Sequence, residues 1–210
     1  MVTLYGTLGF TPEKFYPSIR HRGDVADIVL FHDGHADSEK ARSAVAKYCS
    51  ELDIPFESVA VDAFDLIDSA TRIQGVVRKR GQEDAVFNVT GGTKVLTAAA
   101  ILTCILEGMP AVYIHETTGE EIPLPLITVA YKRLLSDKQR QVLEHVAAHP
   151  GCTQAELREA LGVTKPTISH HVQGLVDHRL LDERRDPKDA RRKRLHLVPS
   201  ARLLLGGPPD

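Results

Sequence analysis

The sequence predicts an α/β protein in two parts: a doubly wound domain on a mostly parallel sheet, then a small helix-turn-helix domain with a hairpin wing. Three observations predict it. Up to Glu121, short apolar or β-branched runs alternate with helical patterns, the arrangement of strands buried on both faces with helices between them. After Leu135, capping boxes and a glycine turn punctuate three short helical stretches. The charge also changes sign there: residues 1–135 hold 13 Lys+Arg against 18 Asp+Glu, a net −5, and the remainder holds 13 against 10, a net +3, within a total of −2. A polyanionic partner is therefore expected for the C-terminal part only.

Val2 to Tyr5, Ile28 to Phe31, Val59 to Val61, Ala85 to Val89 and Ala111 to Ile114 are the predicted strands. Between them, Ala41, Ala44, Val45, Tyr48, Cys49 and Leu52 fall on one helical face, and Leu66, Ala70, Ile73 and Val77 repeat the period. The stretch from Lys94 to Glu107 is apolar on nearly every side, so it predicts a helix covered twice, by the sheet and by something else such as a second subunit. Ile122 to Val129 reads as extended, with Pro123 and Pro125 confining it to a sheet edge or linker. Ser136-Asp-Lys-Gln opens the next helix as a capping box, with Leu143, Val146 and Ala147 as its apolar stripe. Thr153-Gln-Ala-Glu opens a short helix ending at Leu161-Gly162. Thr164 caps a third, whose core face is Ile168, Val172, Leu175 and Val176. This is the helix-turn-helix pattern, and the hairpin around Asp186 to Ala190 is its wing. The expected domains are 1–121 and 136–205, joined by a linker over 122–135.

Composition narrows the functional classes. At 210 residues, 42% apolar and 26% charged, the chain is neither disordered nor fibrous. Cys49, Cys104 and Cys152 are odd in number, widely spaced and form no C-x-x-C, so a disulfide framework and a zinc module are both unsupported. A reducing cytoplasm is the expected location. No signal peptide is legible at the N-terminus, and the apolar run from Val95 to Leu106 is too short to span a bilayer, so no membrane partner is expected.

In an open parallel sheet, ligands bind beyond the carboxyl ends of the strands. The loop Asn88-Val-Thr-Gly-Gly-Thr-Lys94 stands out there. Gly91 and Gly92 let backbone amides approach an anion, and Thr93 and Lys94 head a helix where dipole and ammonium favour phosphate. The spacing fits neither a Walker A loop nor, with Gly6-Thr-Leu-Gly9, a dinucleotide fingerprint. Spacing alone leaves open an ordinary strand-to-helix turn with Lys94 in solvent.

Asn88-Val-Thr-Gly-Gly-Thr-Lys94 before an Ala-rich apolar helix, with Thr7-Leu-Gly-Phe10 after the first strand, resembles the CARF (CRISPR-associated Rossmann fold) domain. Followed by a winged helix, the whole chain resembles the CRISPR-associated transcriptional regulators of that superfamily. The resemblance implies a Rossmann-like first domain that senses a cyclic oligonucleotide and dimerises. It implies a homodimer holding a cyclic oligoadenylate across its two-fold axis, with cyclic tetra-adenylate as the favoured ring. The implied contacts are Thr7, Leu8, Gly9, Phe10, Asn88, Thr90, Gly91, Gly92, Thr93 and Lys94. Some relatives cleave such rings, so a metal-independent ring nuclease is the alternative, although the loop offers no obvious general base. No catalytic residue, metal site or resident cofactor is expected.

The helix after Thr164 presents Lys165, Thr167, Ser169, His170 and Gln173 away from its apolar face, suited to a major groove. The wing adds Arg184, Arg185, Lys188, Arg191, Arg192, Lys193 and Arg194, and from Arg179 to Arg202 there are 9 basic residues against 4 acidic. Contact with double-stranded DNA is expected. Asp186-Pro-Lys-Asp-Ala-Arg191 with Arg192 and Arg194 resembles the wing of MarR-type regulators, but the flanking dimerisation helices of that family are missing. The first domain must then supply the dimer. His32 and His35 lack a third ligand and are expected as surface residues rather than metal ligands.

Overall fold

The computed structural model describes residues 1–81, 84–126, 135–187, 189 and 192–205. The chain divides into two units, Met1–Ala130 and Tyr131–Asp210. In the first, β1 (Val2–Thr7), β2 (Val25–His32), β3 (Phe56–Ala60), β4 (Ala85–Asn88), β5 (Ala111–Ile114) and β6 (Glu121–Pro123) form one sheet in the order β3-β2-β1-β4-β5-β6. Five strands run parallel, and β6 pairs antiparallel with β5 at the edge. Pro123, which has no N–H for a ladder, fits there. The chain winds from β1 outward to β3, then returns to the other flank of β1 as β4. The order therefore reverses between β1 and β4, and a crevice opens at such a switch point.

Alternation along each strand divides the core. Leu4, Leu8, Ile28 and Leu30 pack with Phe15 and Ile19 of the segment holding α1 (Tyr16–Arg20), and with Ala41, Val45 and Cys49 of α2 (Ala36–Glu51). Tyr5, Phe31 and Phe87 face the other way as a row of near-parallel rings with centroids 5.9 Å apart. On that side lie α3 (Leu66–Arg80) and α4 (Lys94–Glu107), the latter packed on β1 and against α3. Leu96, Ala99, Ala100, Thr103 and Cys104 of α4 are buried, whereas Val95, Ile101, Leu102 and Ile105 are only half-buried and Ala98 is exposed. The first cover expected for this helix is present, and no second one lies within the unit.

The strands are longer than their apolar runs: β1 and β2 end at Thr7 and His32, and β3 starts at Phe56. Polar residues continue a ladder once neighbours pair with it, a tertiary effect that local pattern does not record. The short α1 and the 3-10 turn Pro12–Lys14 before it also escaped the periodicity. The extended segment from Ile122 is seen as β6 and then to Leu126; the linker residues 127–134 lie outside the described residues.

The second unit holds α5 (Asp137–Ala148), α6 (Gln154–Leu161), α7 (Lys165–Asp177), the antiparallel pair β7 (Leu181–Arg185) and β8 (Lys193–Leu197), and a closing turn α8 (Arg202–Leu205). Both capping boxes form, at Ser136 and Thr153, and Thr164 caps α7. Leu143, Val146, Leu157, Ile168, Val172, Leu175, Leu181 and Leu195 are buried. Ala147, expected on the stripe of α5, is exposed, and Val142 takes the inward position.

Two glycines make the packing testable. A Cβ on Gly6 would lie 2.4 Å from the Phe15 ring and 3.0 Å from Leu30, so Gly6→Ala should destabilise the protein by about 1–3 kcal/mol through overpacking. Gly75, exposed within α3, has nothing within 4 Å of such a Cβ, and Gly75→Ala should stabilise by about 0.5–1 kcal/mol. Denaturant titration of both variants checks the opposite signs.

Candidate ligand loop and nucleic-acid interface

Gly6 of β1 stands beside Asn88 of β4 in the parallel register, so the loops leaving these strands emerge together at the switch point. They touch backbone to backbone. A Cβ on Gly91 would fall 2.5 Å from the Thr7 carbonyl oxygen, and one on Gly9 would fall 2.9 Å from the Gly92 nitrogen. Gly92 has φ +85°, a conformation that L side chains rarely adopt. The Thr7 hydroxyl donates to the Gly91 carbonyl at 2.7 Å, and the Thr97 hydroxyl donates to the same oxygen at 3.2 Å. This sequence thus needs glycine where the two loops close on each other.

The other expected ligand contacts divide into two groups. Thr7, Leu8 and Asn88 are buried. Asn88 Oδ1 accepts the Thr90 amide at 2.9 Å, while its Nδ2 donates to Ser18 Oγ at 2.9 Å. Thr90 Oγ1 accepts the Ile114 amide at 2.7 Å; Thr93 Oγ1 accepts the Leu96 amide at 3.0 Å and donates to the Ala63 carbonyl at 2.6 Å. These groups shape the loop. Phe10, Gly92 and Lys94 are exposed, and no hydrogen bond within the described residues engages the amides of Gly91 and Gly92. Lys94 begins a 14-residue helix with no acidic residue in its first turn. Open amides, a helix N-terminus and an ammonium together suit an anion.

Sequence reasoning passed over neighbours on the same rim. The Phe10 ring lies 6.0 Å from that of His35, and Phe64, in the loop after β3, is 77% exposed. The available signal was an aromatic between Asp62 and Asp65 in a short polar loop. His32 corrects an expectation, being 3% exposed rather than a surface residue. Because β2 runs on to His32, its ring is enclosed at the strand end, where Nδ1 accepts the Gly34 amide at 3.1 Å. Burial holds this imidazole below its ordinary pKa. Among the described residues no His, Cys, Asp and Glu group is arranged to hold a metal. Burial raises the Cys49 and Cys104 thiols to about 11 and about 12, leaving both unreactive at neutral pH. Among the described residues, no helix is long and apolar enough to cross a membrane.

In the second unit, Lys165, Ser169, His170 and Gln173 are exposed along α7, opposite buried Ile168, Val172 and Leu175. Thr167 is half-buried and shares a 2.8 Å hydrogen bond with the capping Thr164 hydroxyl. Gln173 Nε2 donates to Asp177 at 2.8 Å. The outward stripe is short, polar and free of bulky apolar groups, as a groove-reading helix requires.

The wing's cations are not equivalent. Lys188 and Arg191 lie outside the described residues. Arg184 pairs with Asp182 at 2.9 Å, Lys193 with Glu183 at 2.6 Å and Arg192 with Asp189 at 3.4 Å. Arg194 contacts the buried carboxylate of Asp186 at 2.7 Å and donates to the Gly151 carbonyl at 2.9 Å, tying the wing to the α5–α6 turn. Arg185 is exposed and pairs with no carboxylate among the described residues. Arg194→Ala should therefore destabilise this unit by about 1–3 kcal/mol, since it strips a buried carboxylate of a charged partner. Arg185→Ala should stay within about 0.5 kcal/mol of the parent. Thermal unfolding of the two variants separates them.

Residues 2–125 match the family model described as the Csa3 CRISPR-associated Rossmann-like domain, and residues 135–192 match that of the MarR family. Among solved structures, a MepR mutant from S. aureus bound to an oligodeoxyribonucleotide is 31% identical over 36% of this chain and 56% of that one, with a TM-score of 0.34. The PcaV transcriptional regulator from Streptomyces coelicolor, in complex with its natural ligand, is 35% identical over 33% and 50%, with a TM-score of 0.32. A further S. aureus MepR–DNA complex is 32% identical over 34% and 54%, at 0.33. The chain spans about half the length of these relatives. No curated protein matches it. With 124 of 210 residues inside the first match, the chain belongs to the Csa3 CRISPR-associated Rossmann-like domain family, here joined to a MarR-family winged helix.

Proposed function

We propose that this protein is a ligand-responsive transcriptional regulator of CRISPR-Cas genes, binding a cyclic oligoadenylate through its first unit and double-stranded DNA through its second. The observation that carries the reading is the glycine cradle at the switch point, with open amides and Lys94 at its rim, in a chain that also bears a MarR-family winged helix. A ring of nucleotides offers phosphates to such a cradle, and cyclic tetra-adenylate has the two-fold symmetry of a dimer. The half-buried apolar strip of α4, Val95, Ile101, Leu102 and Ile105, starts beside Lys94. A second copy covering that strip would bring two cradles to one ring, each contacting half of it.

The DNA half of the reading rests on the polar outward face of α7 and the basic wing. Residues Lys165, Ser169, His170 and Gln173 are placed to meet base edges and phosphates, and Arg185 to meet the backbone. Exposed ion pairs such as Arg184–Asp182 are worth only about 0–1 kcal/mol, so these arginines can change partner to phosphate.

Two measurements test the proposal. Lys94→Ala removes a charge-assisted contact of roughly 1.5–3 kcal/mol per subunit, so calorimetric affinity for cyclic tetra-adenylate should fall at least tenfold while the melting curve is preserved. If ligand and DNA are coupled, saturating ring should change operator affinity by about five- to 150-fold, and saturating operator should change ring affinity by the same factor. No binding of the ring by the parent protein overturns the sensor reading. Equal operator affinity with and without bound ring overturns the coupling alone.

A further inference from the structure

Two phenyl rings stand in water beside the cradle. Phe10 is 62% exposed and Phe64 is 77% exposed, on a protein that buries Phe15, Phe31 and Phe87 almost completely. Both are held by the loop they flank. Phe10 follows Gly9, which packs against the Gly92 backbone. Phe64 follows Ala63, whose carbonyl accepts the hydrogen bond from Thr93 Oγ1 at 2.6 Å. The loop after β3 therefore reaches past the intervening strand ends to the head of α4, and its aromatic sits one residue from the Gly91–Lys94 turn.

That loop is fixed along its length. Asp62 Oδ1 accepts the Phe64 amide at 3.1 Å, the Asp62 carbonyl accepts the Ser69 hydroxyl at 2.8 Å, and Asp65 caps α3 through the Ile67 and Asp68 amides. Displaying an aromatic to water on a rigid turn forgoes the burial that a phenyl ring ordinarily gains. The phosphate-suited turn thus has an aromatic face on the Phe10 side and another on the Phe64 side. Phosphate and a flat π-face at that spacing are the two recognition elements of a nucleotide.

We infer that Phe64 is a stacking platform for a nucleobase of the ligand, working with Phe10 on the other side of the glycine turn. The inference rests on the cyclic oligoadenylate reading above and deepens it. Phe64 supplies affinity for the base, while the turn and Lys94 hold phosphate. Stacking is indifferent to which base is present, so Phe64 selects nucleotides over simple polyphosphates and leaves the choice among bases to other contacts.

The chain contains no tryptophan, which gives a direct readout. Phe64→Trp places a single indole at the platform; titration of the full chain with cyclic tetra-adenylate should quench its fluorescence, with affinity close to that of the parent. Phe64→Ala should weaken binding roughly five- to 150-fold while leaving the melting temperature unchanged, because the ring is exposed. If the parent binds the ring but Phe64→Ala binds equally well, or Phe64→Trp is not quenched, the platform is overturned and the sensor reading stands. If the parent itself does not bind the ring, the sensor reading falls and takes the platform with it. Light scattering provides the last arm: loss of the parent's oligomeric state in Phe64→Ala would make the ring a subunit contact, which also overturns the platform.

Discussion

The approach of two backbones at the sheet's switch point, Gly9 against Gly92 and Gly91 against the Thr7 carbonyl, is the constraint on which the first unit's site depends. No side chain fits at these three positions. Once the loops are in contact, the Thr7 and Thr97 hydroxyls converge on the Gly91 carbonyl, which turns that oxygen inward. An oxygen committed inward leaves the neighbouring amides to face outward. The start of α4 is fixed by the same contact, since Thr93 both caps the helix and anchors the loop after β3. Lys94, Phe10 and Phe64 owe their positions to one close packing of main chain.

This arrangement divides the labour within one short motif. Asn88, Thr90 and Thr93 look like ligand donors on paper, because hydroxyls and amides beside a glycine pair are what phosphate sites display. In the folded chain their polar atoms hold one another, the Ile114 amide and the Ala63 carbonyl. They act by keeping the amides of Gly91 and Gly92 in one geometry, which lowers the ordering penalty a ligand would otherwise meet. Polar side chains and backbone therefore exchange the roles that a motif suggests for them.

Much of the fold was legible because its signals are local. The alternation of apolar runs with helical periods located five strands and the long helices, and the capping boxes at Ser136 and Thr153 formed as spaced. What stayed hidden was set by distant partners. Strand ends such as Thr7 and His32 are decided by neighbouring strands, so His32 was misjudged as a surface group although it is enclosed. Phe64 carried no motif at all, and its place beside the cradle depends on a hydrogen bond spanning 30 residues from Thr93 to Ala63. Composition also counted the wing's cations without showing which were engaged.

That last distinction changes what basic charge means here. A run of arginines reads as a polyanion surface, yet an arginine beside a carboxylate has two possible partners, and burial decides between them. Arg184, Arg192 and Lys193 face partners on an exposed surface, where an ion pair contributes about 0–1 kcal/mol and salt screens it. A phosphate can displace such a carboxylate at little cost. Asp186 is enclosed, and Arg194 also holds the Gly151 carbonyl. Releasing Arg194 would leave a buried carboxylate short of its charged partner, at a penalty that one phosphate contact does not clearly repay. Arg194 is therefore a residue that presents the wing, and its neighbours are the residues the wing presents.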